Sequence, residues 1–313
     1  MSLSHTETKR QTHTGRQEHV RTRGAAANAV FLVLVKLLAA LSFASLVFVI
    51  AFIVIEALPT FQEVSLSDFL FGQVWMPIDF TGTTSFGIFN FIVATVLVSV
   101  LALLCALAIS IGAAVFLCGR ASIKARTILI PLIDLLAGVP SVVFGFIGLE
   151  VVTVAFRHAG VSSGSCVLAA ALVLAVMILP FLVSSITESL DEQCKRYQQS
   201  SDALGVSRWQ FLASVALSAS RRSILMSLVL AAGRAMGETM AVMMVIGDAN
   251  LFPTLLGKSE SIAALIALEM GTAVVGSTHY HALYAAGLVL MILVGLVNVV
   301  VWLIKRRVRK AGV

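Results

Sequence analysis

Charge is what this chain has least of. Only 12% of its 313 residues are Asp, Glu, Lys or Arg, against about 25% in an ordinary soluble domain. With 59% hydrophobic residues and a mean hydropathy of +1.00, that deficit excludes a soluble globular protein. Cysteine is scarce as well. Cys105 falls inside an apolar run, Cys118 and Cys194 fall on one side of the expected membrane, and Cys166 falls near the other. Residues on opposite sides cannot pair, so no disulfide framework exists, and the absence of a CxxC or His/Cys cluster gives no metal site. Strict alternation is missing, which excludes barrel strands. No nucleotide motif is complete: Gly257-Lys258-Ser259 looks like the end of a phosphate-binding loop, but Phe252 stands where the motif requires glycine. The first apolar run is too long for the core of a cleavable leader, and no internal repeat is evident.

What the chain does have is six long apolar runs, at 28–58, 87–118, 127–156, 165–187, 223–247 and 280–304. A bilayer core about 30 Å thick needs about 20 such residues per helix, so an all-α membrane protein with six transmembrane helices is expected. Basic residues set its orientation. Five lie in the N-terminal tail, three follow the second run, five lie after the fourth and five close the chain; Arg157 and Lys258 fall on the other side. Both termini are therefore expected in the cytoplasm. The net charge of +6 is accounted for by this topology signal and implies no nucleic-acid partner, though the basic tail is also suited to anionic lipid. The organisation is a polar tail over 1–27, surface-lying or without fixed structure, a membrane domain over 28–305 and a basic tail over 306–313. A long cytoplasmic loop, 188–222, reads as short helix, glycine break, short helix. On the outer side, Trp75 reads as an interfacial anchor, and SIAALIALEMG is too short to span, so it reads as a re-entrant or interfacial helix.

A few polar residues sit deep in apolar surroundings. Asp134, Arg234 and Glu238 each cost about 2.5–3.5 kcal/mol at a helix centre, so they mark a bundle interior or a watery path. The run GRAMGETMAV, 233–242, reads as helix, which puts Arg234, Gly237, Glu238 and Ala241 on one face. Gly233 and Gly237 on that face admit a close helix neighbour. Arg234 presents a planar fork of donors suited to an oxyanion, with Glu238 holding its rotamer or accepting a proton; an intrahelical ion pair with no transport role is the structural alternative. Asp134 opens DLLAGVPSVVFGF, where Pro140 breaks a backbone bond as in helices that line a pathway, and Asp134 is a candidate partner for Arg234. Trp209, Phe211 and Leu212 are large apolar residues on the cytoplasmic loop, either packed beneath the membrane domain or knobs for a partner protein. The string Gly160-Val161-Ser162-Ser163-Gly164 matches GxSxG and keeps an intramembrane serine protease as a remote alternative, though the elbow needs a strand-to-helix turn.

These motifs resemble the permease subunits of bacterial ABC importers. The cytoplasmic loop matches their coupling pattern at Gly205 and Leu217, with Gln199 in place of the acidic residue and Ser218 in place of proline. DLLAGVPSVVFGF, GRAMGETMAV and the outer loop FLFGQVWMP followed by FGIFNFIVATVLVS are similar to the PstC-type phosphate permeases. The resemblance covers roughly 58–305, with Asn90 where proline is often found. It implies a type I importer architecture in the bacterial inner membrane, importing inorganic phosphate by alternating access; sulfate or molybdate is the alternative cargo. It implies a heterodimer with a PstA-like permease, two cytoplasmic ATPases and an extracytoplasmic phosphate-binding protein. No cofactor is expected on this chain, which is not an enzyme; ATP and Mg belong to the ATPases. Arg234 and Glu238 carry over to the substrate path, and Ala203, Leu204 and Gly205, with Trp209 and Leu217, to ATPase coupling.

Overall fold

The computed structural model describes residues 4–77 and 84–310, with side chains at 28, 30–77, 84–300, 302 and 303. The side chains of the two expected tails, 1–27 and 306–313, lie outside the described residues. The chain forms two units, Met1–Ile55 and Glu56–Val313. The first is carried by α1 (Ser4–Ala57), a single helix of 54 residues. Its backbone is helical from Ser4.

The second unit runs through α2 (Thr60–Glu63), α3 (Leu66–Phe71), a two-residue hairpin of β1 (Trp75–Met76) and β2 (Ser85–Phe86), α4 (Phe89–Gly119), α5 (Ile123–Ala137) and α6 (Ser141–Ile147). A π-helical turn over Gly148–Val152 leads into α7 (Thr153–His158) and then α8 (Val167–Ala203). After α9 (Arg208–Gln210) comes a second π-helical turn, Phe211–Ala216, then α10 (Leu217–Ala219), α11 (Arg221–Met236), α12 (Met240–Ile246), α13 (Ile262–Glu269) and α14 (Thr278–Lys310).

The main core is built by α4 and α8. On α4 the residues Ala94, Val98, Ala102, Ala106, Ser110, Ala114 and Cys118 recur every four positions, and all are buried. Residues four apart lie above one another on successive turns, so this series forms a slowly winding stripe whose small side chains let α8 approach closely. α8 is buried nearly all round over Val167–Leu190, the pattern of a central helix. A second core joins Phe69, Trp75, Phe86, Ile88 and Phe91 to Ile262 and Leu265 of α13 and Leu283 of α14. Trp75 pairs with Phe86 across the hairpin and is only 8% exposed. It is therefore a core residue rather than an interfacial anchor, with its indole N–H given to Glu269 Oε2 at 2.8 Å. α13 fills this same core.

Among the described residues, five stretches have the length and composition to cross a membrane, and a sixth arises if Arg208–Ala219 and Arg221–Met236, bent by 63°, form one span. Three of the expected runs are built differently from a plain helix. The third breaks at Gly138-Val139-Pro140 into α5 and α6; proline lacks an N–H and disfavours helix in the residue before it. The part of it long and apolar enough to cross a membrane is Ser141–His158. The fourth does not end near Thr187 but runs on as α8 to Ala203, so the first half of the 188–222 loop is the stem of a long helix. The fifth breaks at Gly237-Glu238-Thr239.

Candidate transport path and coupling surface

The break in the fifth span places its charged residues. Toward Gly237 the last bonds of α11 loosen, with Gly237 N–H to Gly233 O at 3.3 Å and Glu238 N–H to Ala235 O at 3.4 Å. α12 then starts at Met240, and the Glu238 carboxylate accepts the Ala241 N–H at 3.2 Å. Glu238 thus caps the N-terminus of α12, where an anionic side chain also meets the positive end of the helix dipole. The expected single face of Arg234, Gly237, Glu238 and Ala241 does not form, because two helices replace one. Sequence inspection overlooked this cap, although a glycine, a carboxylate and then an apolar run is a helix-start signal.

Arg234 is on the last turn of α11. Its neighbours Ala231, Ala232, Ala235 and Met236 are buried, while Arg234 and Gly237 are exposed. Arg234 has no ion pair or hydrogen bond to its side chain among the described residues, so neither Glu238 nor Asp134 is its partner here. Gly233 lies near Val294 of α14, where an added Cβ would sit at ordinary contact distance, 3.8 Å. Asp134, exposed on α5, accepts the Ser184 hydroxyl at 2.9 Å. Pro140 caps α6. On α6 an added Cβ at Gly145 would lie 2.7 Å from Met244 Sδ and 3.0 Å from Ala241 Cα, so α6 and α12 touch through that glycine.

The coupling surface is built on the end of α8. Val206 N–H bonds Ser201 O and Gly205 N–H bonds Asp202 O, the paired bonds of a Schellman cap. That motif needs a left-handed residue after the helix, and Gly205 supplies it at φ 71°. Ala203, Leu204 and Gly205 are exposed. Ser207 then caps α9 by accepting the Gln210 N–H. The apolar trio divides: Phe211 and Leu212 are buried in the main core, whereas Trp209 is 61% exposed. Leu217 is half-buried. Arg208 donates to the Cys118 carbonyl at 2.8 Å, tying this segment to the end of α4. Beside it, Arg126 of α5 pairs with Asp191 of α8. Sequence reading singled out none of Arg126, Ser184, Asp191 and Arg208 as site residues, because each looks like an ordinary charge or hydroxyl near a loop.

The two enzyme-like strings both lie in loops between helices. Gly160–Gly164 is the turn between α7 and α8, with no strand before it, and Gly257-Lys258-Ser259 lies in the loop before α13.

The family described as "Binding-protein-dependent transport system inner membrane component" matches residues 106–310. This chain belongs to that family. Several of its relatives within that family are PstC phosphate permeases. It is 33% identical to the phosphate transport system permease protein PstC of Mesorhizobium japonicum, over 77% of this chain and 78% of that one. It is 34% identical to the probable ABC transporter permease protein YqgH of Bacillus subtilis, over 77% and 79%. A solved chain of the MetNI methionine ABC transporter, in inward-facing conformations, superposes with a TM-score of 0.56 at 16% identity. It covers 71% of this permease and 97% of that chain. The likeness extends to the fold of a type I importer permease, and the chain is a multi-pass membrane protein.

Proposed function

We propose that this permease is one half of the membrane channel of an ATP-driven importer that moves inorganic phosphate into the cytoplasm. The observation that carries the reading is Arg234. A guanidinium on an apolar, broken span is costly against lipid, yet here it is exposed and lacks a counter-charge among the described residues. Such a group belongs to a watery path shared with a second permease, where it presents a bidentate fork to a passing oxyanion. The PstC relatives support phosphate as the cargo. The assembly is then a heterodimer with a PstA-like permease, in a bacterial inner membrane with both termini inside. Two cytoplasmic ATPases, holding ATP and Mg, dock on Leu204, Gly205 and Trp209, and an extracytoplasmic binding protein delivers phosphate. Alternating access follows as ATP-driven movement of the coupling segments opens and closes the path.

The test is ATP-dependent uptake of labelled phosphate by vesicles holding the reconstituted complex. Arg234→Gln is expected to abolish uptake and Glu238→Gln to reduce it, with sulfate and molybdate as competitors that fail to displace phosphate. Normal transport by both variants would sink the site assignment. Competition by another oxyanion would reassign the cargo.

A further inference from the structure

None of the residues of α5 is buried. Among the described residues it has two polar links to α8. Arg126 is ion-paired with Asp191, and Ser184 donates to Asp134 Oδ1 at 2.9 Å. The two rungs fit an antiparallel register. Arg126 to Asp134 spans about 12 Å of helix and Ser184 to Asp191 about 10.5 Å, from a rise of 1.5 Å per residue. Between the helices lies a cleft of about 570 Å³, lined further by Ile130, Glu188 and Lys195.

Asp191 also reaches the coupling segment. Its Oδ1 accepts from Cys118 Sγ at 3.3 Å, and the carbonyl of Cys118 accepts from Arg208 Nη2 at 2.8 Å. Bonded groups therefore run without a gap from the segment that holds Trp209 to α5. Past α5 the backbone turns at Gly138 and Pro140 into α6, whose Gly145 touches Ala241 and Met244 of α12. α12 is the helix that Glu238 caps.

We propose that Arg126 and Asp191 are positioning residues that pass movement of the coupling segment to α5, and through α6 to the break beside Arg234. This inference rests on the permease reading above. The chemistry suits a movable link. The side chains of Arg126 and Asp191 are 33% and 26% exposed, so water solvates the two charges when they part, and the pair separates at low cost. An apolar seam of the same length would hold α5 fixed.

The experiment uses the full complex in vesicles and reads phosphate moved per ATP hydrolysed. Arg126→Gln and Asp191→Asn keep ATP hydrolysis but each lowers that ratio about ten-fold, and the swap Arg126→Asp with Asp191→Arg restores it to within about three-fold. A second reading needs no substrate: the distance between spin labels encoded at positions 124 and 195. Its distribution broadens in each single variant and narrows again in the swap. Wild-type ratios and distances in both single variants overturn the proposal, as does a swap that restores neither. Where a single variant fails to assemble, Arg126→Lys and Asp191→Glu take its place; they keep the ratio, and a ten-fold loss in them overturns the proposal. If the wild-type complex moves no phosphate, the functional reading has failed and the label distances alone decide the link.

Discussion

At the scale of single residues, Arg234 and Glu238 stand four apart in the sequence and do different things. Glu238 is half-buried and bonded to the Ala241 N–H. Removing an N-terminal cap costs about 0.5–2 kcal/mol. Glu238→Ala should therefore lower the melting temperature of the purified complex by about 1–5 °C, while Glu238→Gln, which keeps an accepting oxygen, leaves it near wild type. Arg234 is exposed and lacks a bonded partner among the described residues, so Arg234→Gln should shift stability by no more than about 0.5 kcal/mol while removing uptake. A melting shift in Arg234→Gln as large as that in Glu238→Ala would show a structural ion pair in place of a substrate contact. The sequence pairs these two residues by helical spacing, and that spacing fails at one point: Gly237 ends a helix between them.

At the scale of elements, the apolar runs were legible because lipid demands length and composition, and both can be counted. The breaks were not, because they depend on which backbone groups find partners. Pro140 announced one break. Gly237 did not, since a glycine inside an apolar helix reads equally well as a packing residue. The loop 188–222 shows the same limit: Gly205 was recognised as its turn, but the helix before it proved to be the continuation of α8. The division of Phe211 and Leu212 from Trp209 could not be read either, since all three are large and apolar and only the π-helical turn sets which face inward. The Schellman cap gives a sharp expectation. At φ 71° any side chain with a Cβ is strained by about 1 kcal/mol, but beyond its chain neighbours no atom lies within 4 Å of an added Cβ. Gly205→Ala should therefore fold and assemble with slightly reduced coupling. Gly205→Glu places a bulky charge on the exposed docking surface and should lose the ATPases in a pull-down. Retention of the ATPases by Gly205→Glu would move the docking surface elsewhere.

At the scale of the whole second unit, two cores are tied together by the segment 259–262. Ser259 bonds Ile246 O and Leu251 O, Ile262 N–H bonds Thr95 Oγ1 on α4 at 3.0 Å, and the segment leads directly into α13. Glu260 lies within it, buried to 8% exposure and without a hydrogen-bonded partner for its carboxyl among the described residues. Burial, reinforced by the nearby Asp248 and Glu269 carboxylates, pushes its pKa from 4.5 up to about 8. In the folded protein Glu260 therefore holds its proton through neutral pH, whereas in the unfolded chain it releases it near the ordinary carboxylate value. The folded state binds the extra proton, so this residue lowers stability progressively as pH rises from about 4.5 to about 8, and its full penalty applies above that range. The complex should melt at a lower temperature at pH 9 than at pH 6. Glu260→Gln, which keeps the shape and removes the titration, should raise the melting temperature most at pH 9 and flatten the dependence between the two. An unchanged slope in Glu260→Gln would assign the pH sensitivity to another group. A melting temperature lowered at every pH would show that the Glu260 carboxyl has a bonding role that glutamine cannot fill.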